Sequence, residues 1–203
     1  SFTLMSAIAS VTSSIGLFPS ISILSQHPAV VARMIATIDD ISDGRCGLNI
    51  VTGWNKAEYE QMGMWPGSSH YTERYTYAKE YVDILKSLWK YGRCTYEGKF
   101  FKLDDCIVLP KPKGEIPIVC AGQSPKGKQF VAENANHQFV MTGKKNLIAG
   151  VADITARSSA VNRKVGIYAL YHMIIADTDE AAKNITEKIV REVDTGAVSN
   201  ILS

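Results

Sequence analysis

Short apolar runs rich in β-branched residues alternate along this chain with longer segments whose apolar residues recur at helical spacing. That alternation is the strongest constraint on the fold, because strands separated by helices cannot pair as hairpins and must lie parallel in one sheet. Residues 1–14 read as a helix with Phe2, Met5, Ile8 and Val11 on one side. A strand is expected over Ile15–Ser25. His27-Pro28 then opens a helix whose buried stripe is Val30, Val31, Met34, Ile35, Ile38 and Ile41, ended by Asp43-Gly44. The strand Cys46–Val51 follows, then a Gly/Pro/Ser loop from Met62 to Ser69 and a long helix from His70 to Trp89. Two short β segments around Glu97-Gly98 form an insertion at about 92–112. The alternation resumes with strand Pro117–Gly122, helix Pro125–Asn134, strand Gln138–Met141, helix Leu147–Val161, strand Gly166–Ala176 and a helix capped by Thr178 and running to about Val193.

This order contains five main parallel strands. A closed (β/α)8 TIM barrel needs eight and typically about 250 residues. The chain opens on a helix and ends on one, so the expectation is a single domain over 1–203 that forms the middle of a barrel, lacking the first two strands and the last.

The 203 residues are 46% apolar with a net charge of +2, enough material for a core and too little charge to suggest a nucleic-acid or membrane-surface partner. No apolar run approaches a membrane span, and no signal-peptide pattern is visible. The four cysteines, Cys46, Cys94, Cys106 and Cys120, lack CxxC spacing, so a reducing, cytoplasmic setting is expected.

The chemistry concentrates after the strand ends, where ligands bind in such folds. Asn49 is an amide within an otherwise apolar strand; it is either satisfied by neighbouring backbone or aimed at a ligand. Arg74 and Tyr75 lie in the first turns of the long helix, where free N–H groups and the helix dipole favour an anion. Arg74 reads as a phosphate ligand or as a surface cation paired with Glu73 or Asp83. Ser124 follows the strand end at Gly122 and precedes a helix; it is a plain N-cap or an anion ligand. Glu58 is a surface charge on a short helix or a ligand for polar groups, and Trp54 and Trp65 are core residues or walls for a flat aromatic ligand. GxSxG and GxGxxG are absent, and His27, His70, His137 and His172 lack metal spacing, which argues against nucleophilic catalysis, a Rossmann site and a metal site.

The runs HPAVVARMIATIDDISDGRCGLNIVTGWNKAEYEQMGMWPG, ERYTYAKEYVDILKSLW, YEGKFFKLDDC and PIVCAGQSPKG resemble the bacterial-luciferase-like flavin monooxygenases, most closely the pyrimidine monooxygenase branch of the Rut pathway. The likeness runs from residue 1 to about Ala176. It implies a TIM barrel that binds reduced FMN at the C-terminal ends of its strands, with Asn49, Glu58, Arg74, Tyr75 and Ser124 at flavin-contacting positions and Trp54 on the substrate side. The family usually has Thr at Ser20, where a hydroxyl beside Asn49 would position oxygen. The implied reaction uses FMNH2 and O2, and a flavin (hydro)peroxide opens the ring of uracil or thymine to a ureidoacrylate-type product. The resemblance further implies a separate NAD(P)H flavin reductase as electron source and a homo-oligomer. The alternatives are a related monooxygenase acting on sulfonates, sulfones or other small molecules, and a non-catalytic flavin-binding relative.

Overall fold

A computed structural model describes residues 1–202, of which 200–202 are described in backbone only. The chain divides into two compact units, 1–169 and 170–203, each described here by itself.

The first unit begins with helix α1 (Phe2–Val11) and strand β1 (Ser20–Ser22). Helix α2 (Pro28–Ser42) has His27 as its N-cap and Pro28 in its first turn, and it ends at Asp43 in the left-handed conformation. Strand β2 (Leu48–Val51), short helix α3 (Lys56–Glu60) and long helix α4 (His70–Tyr91) follow. An antiparallel hairpin, β3 (Arg93–Glu97) and β4 (Lys102–Ile107), stands apart from the main sheet. Next come β5 (Ile118–Cys120), α5 (Pro125–Asn134), β6 (His137–Val140), α6 (Lys144–Ala160) and β7 (Gly166–Ala169).

The five main strands are all parallel and lie in the order β1-β2-β5-β6-β7. Once the hairpin is set aside, spatial order equals chain order. This is the winding of a barrel wall, since a doubly wound sheet reverses direction at a switch point. The wall is curled. In a flat sheet the outer strands of five would stand about 19 Å apart. Phe18, just before β1, nevertheless meets Tyr168 of β7 edge-to-face with ring centroids 6.0 Å apart.

Alternation sorts the side chains onto two faces. Ile21, Ile23, Leu48, Ile50, Ile118 and Cys120 point outward into one core shared with the helices, which contribute Val31, Ile35, Ile38, Tyr81, Val82, Leu85, Leu88, Phe130 and Val131. Phe18, Ser20, Ser22, Asn49, Val119, His137 and Tyr168 therefore take the concave face.

Several local expectations are corrected. The strand expected over Ile15–Ser25 narrows to Ser20–Ser22, with one isolated bridge between Leu17 and Cys46. The strand expected over Gly166–Ala176 stops at Ala169, because its ladder partner β6 runs out at Val140 and Leu170–Ala176 finds no pairing edge among the described residues. On α2 the buried stripe is Val31, Ile35, Ile38 and Ser42 with Ala32 and Ala36, which rotates Val30 and Ile41 into solvent; Val11 of α1 is likewise exposed.

The second unit holds α7 (Asp179–Arg191), capped by the Thr178 hydroxyl accepting from Ala181 N–H, and α8 (Thr195–Leu202), which the sequence reading did not anticipate. Among the described residues, no helix is long and apolar enough to cross a membrane.

Candidate active site

Strand register places Ser20, Asn49, Val119, His137 and Gly166 side by side in one row of the concave face. Within it the Asn49 amide donates to the Ser20 hydroxyl at 2.9 Å. The Asn49 carbonyl oxygen is sealed from solvent without a hydrogen-bond partner. The reading of Asn49 as satisfied by neighbouring backbone is therefore not met: one end of the amide has a side-chain partner and the other has none. A buried orphan acceptor costs about 1–3 kcal/mol until something donates to it.

A second cluster forms where α4 and α5 begin. Ser124 caps α5, its hydroxyl accepting from Gly127 N–H at 3.1 Å, and lies 3.4 Å from the Tyr75 hydroxyl. Close backbone approach builds this corner. A Cβ on Gly122 would sit 2.6 Å from the Gly127 carbonyl oxygen, and a Cβ on Gly127 would run into the Tyr75 hydroxyl and lie 2.9 Å from Gly122 Cα. Two glycines thus let the end of β5, the first turn of α5 and the Tyr75 side chain meet at one point. Tyr75 is held from behind by Phe130, ring centroids 5.7 Å apart.

Arg74 stands beside this corner with its guanidinium 5.1 Å from the Tyr75 ring centroid. The two carboxylates that could have neutralised it are engaged elsewhere, Glu73 with Lys99 and Asp83 with Lys79. Its Nε is buried without a partner. A guanidinium, two hydroxyls and the first turn of α5 make a site suited to a phosphate. The first turn of α4 does not supply the free N–H groups expected of it, because those of His70, Tyr71, Thr72 and Glu73 already bond the carbonyls of Gly67, Ser68 and Ser69.

The structure brings Ser20 to Asn49 and Tyr75 to Ser124. Among the described residues it does not bring Trp54 or Glu58 into hydrogen-bond contact with either pair. Trp54 is 59% exposed in the loop after β2, and Glu58 is exposed on α3, whose N-cap is Asn55 accepting from Ala57 N–H. Trp65, open between core and ligand wall in the sequence, packs in an aromatic cluster with Tyr59, His70 and Tyr71.

Four residues escaped the sequence reading. Ser22 lies two positions beyond Ser20 on the same face and hydrogen-bonds the buried Tyr59 hydroxyl; the period of two could have revealed it. Burial raises the Tyr59 phenol above its ordinary pKa, with the Ser22 hydrogen bond opposing that shift. His70, read only as the start of a helix, is 4% exposed and faces two backbone carbonyls. His137 stacks flat on Tyr168, centroids 4.4 Å apart, with its Nδ1 buried and unpartnered. Nothing in the local sequence of the last two residues marks these contacts.

Comparison with known proteins gives the same frame. The sequence profile of the luciferase-like monooxygenases matches residues 1–200. The pyrimidine monooxygenase RutA of Pantoea ananatis is 48% identical over 203 residues, covering 98% of this chain and 56% of the relative. The protein of the same name from Serratia proteamaculans is 44% identical over 203 residues with the same coverage. The chain thus spans little more than half the length of these curated relatives. Among solved structures, the EDTA monooxygenase of Chelativorans sp. BNC1 superposes with a TM-score of 0.85 at 24% identity, covering 97% of this chain and 51% of that one, a likeness of fold. On this profile match over nearly the whole chain, the chain belongs to the luciferase-like monooxygenase family.

Proposed function

We propose that this chain carries the flavin-binding wall of a monooxygenase that opens the pyrimidine ring of uracil or thymine with reduced FMN and O2, giving a ureidoacrylate-type product. The observation that supports the reading is the presence of two features on the same wall: a corner suited to an anion with an unneutralised Arg74, and a polar row with an orphan acceptor on Asn49. The printed name of the relatives, pyrimidine monooxygenase, supports the substrate class.

The residues present fit FMN. Arg74, Tyr75 and Ser124 would hold the phosphate, with charge supplied by the guanidinium and hydroxyl donors by the other two. The Asn49 carbonyl would accept an N–H of the isoalloxazine, relieving its unmet hydrogen bond, while its amide keeps the Ser20 hydroxyl oriented towards the oxygen side. Glu58 would accept from polar groups of the flavin, and exposed Trp54 would close over a planar substrate and exclude water. Reduced FMN, when bound, supplies the electrons that activate oxygen. Those electrons would come from a separate NAD(P)H flavin reductase, and the working form would be a homo-oligomer.

The test is FMN binding to this chain, followed by fluorescence quenching. Saturable binding is expected, weakened at least about tenfold by Arg74→Ala, because a charge-assisted phosphate contact is lost. Equal affinity of the two proteins would overturn the phosphate assignment. Loss of uracil in the presence of a flavin reductase, NADH and O2 then tests the substrate.

A further inference from the structure

The loop that follows β2 carries Trp54 and leads into α3 with Glu58, and α4 carries Arg74 and Tyr75. One side chain ties the two together. His70, the first residue of α4, places Nε2 2.9 Å from the Thr52 carbonyl oxygen and 3.0 Å from the Gly53 carbonyl oxygen. Both partners are acceptors, so Nε2 carries the proton and donates to both.

The latch is enclosed. His70 is 4% exposed, with Trp65 edge-on at 5.5 Å and Tyr77 edge-on at 6.2 Å between ring centroids. Gly53 has a φ of +70°, and a Cβ there would meet Leu24 Cδ1 at 2.8 Å and His70 Nε2 at 3.4 Å. The Thr52-Gly53 turn is therefore packed closely against both Leu24 and the His70 ring that donates to it. One residue downstream comes Trp54, and α3 with Glu58 follows directly. One helical turn beyond His70 come Arg74 and Tyr75.

We propose that His70 is a positioning residue of the flavin site: its Nε2–H holds the loop bearing Trp54 and Glu58 at a set distance from the helix turn bearing Arg74 and Tyr75. This rests on the flavin reading above. The loop leaving β2 has no ladder of its own beyond Val51; His70 holds its start at Thr52-Gly53, and the hydrogen bond between Tyr59 and Ser22 holds its far end on β1. Without the donor, two carbonyls lose their hydrogen bond inside an aromatic enclosure, and the loop must open to hydrate them.

Two variants separate hydrogen bonding from packing. His70→Phe keeps a ring against Trp65 and Tyr77 but has no donor. His70→Gln loses the ring but places an amide N–H near the position of Nε2. Two readouts are taken on each: FMN affinity by fluorescence quenching, and amide hydrogen exchange of the segment 54–60 without flavin. The expected result is that His70→Phe weakens FMN binding about tenfold and speeds exchange of 54–60 by a similar factor, while His70→Gln stays within about threefold of the wild type in both. Wild-type behaviour of His70→Phe, or a His70→Gln variant no better than His70→Phe, would overturn the proposal. Should the wild-type chain fail to bind FMN, the flavin reading falls, and the exchange measurement still decides the latch.

Discussion

Gly127 and Gly150 are both helical glycines, and the structure predicts opposite effects for the same substitution. Gly127 lies in the first turn of α5 and Gly150 in the middle of α6. By helix propensity alone, either Gly→Ala change stabilises by about 1 kcal/mol. A Cβ on Gly150 meets nothing within 4 Å, so Gly150→Ala should realise that gain, raising Tm by roughly 2–4 °C for a chain of this size. A Cβ on Gly127 would overlap the Tyr75 hydroxyl and lie 2.9 Å from Gly122 Cα, which is backbone and cannot step aside. Overpacking of this kind costs roughly 1–3 kcal/mol, so the propensity gain is erased or outweighed and the net change runs from about zero to a loss of about 2 kcal/mol. Because Tyr75 yields before backbone does, its hydroxyl moves away from Ser124, and FMN affinity should fall along with Tm. Tyr75→Phe removes the overlapped oxygen, so the double variant Tyr75→Phe/Gly127→Ala should recover about 1 kcal/mol relative to additivity. Differential scanning calorimetry on five proteins gives the answer: the wild type, Gly150→Ala, Gly127→Ala, Tyr75→Phe and the double variant. Stabilisation of Gly127→Ala to the level of Gly150→Ala would refute the close approach on which the anion corner is built.

Glu80 is 8% exposed and accepts from the backbone N–H groups of Lys99, Phe100 and Phe101 at 2.8, 2.9 and 3.3 Å, so it holds the turn of the β3–β4 hairpin. Glu80→Ala should lower stability by about 3 kcal/mol, read as a reduced urea midpoint with unchanged m-value. Burial pushes the Cys46 thiol up to about 12 and the Cys120 thiol up to about 11, and Cys94 is buried as well. Native chain at pH 8 should therefore react with a thiol reagent only at partly exposed Cys106, and all four should react in denaturant; rapid native labelling of Cys46 or Cys120 by mass spectrometry would contradict this. The His27 imidazole caps α2 by accepting from Ala29 N–H at 3.2 Å, and burial lowers its pKa below the ordinary 6.5. The unfolded chain takes up this proton first. The cap's contribution is thus present above pH 6.5 and lost as pH falls from 6.5 towards the lower folded value. His27→Asn keeps a capping acceptor that does not titrate and should remove this acid-side loss in urea titrations between pH 7 and 5.

The winding was legible from local signals alone. Helical and strand periods are properties of short windows, and Pro125–Asn134 was legible to the residue because Ser124-Pro125 opens the helix and the chain changes period at its end. The same local signals marked Asn49, Arg74, Tyr75 and Ser124, since an amide in a strand and polar residues at helix starts stand out from their neighbours. Strand lengths were not legible. Leu170–Ala176 is as β-prone as Gly166–Ala169, yet strand formation needs a partner edge, and the partner ends at Val140. Nor was the state of any site residue. Arg74 could have been neutralised by Glu73 or Asp83; it is left without either because Lys99 takes Glu73 from 26 positions along the chain, and Lys79 takes Asp83. The His70 latch spans 17 and 18 positions, and the Ser22–Tyr59 contact spans 37. Periodicity reports which face a residue occupies within its own element. Which distant group reaches it first is set by how the elements pack, and packing joins residues too far apart in the chain for any local pattern to report.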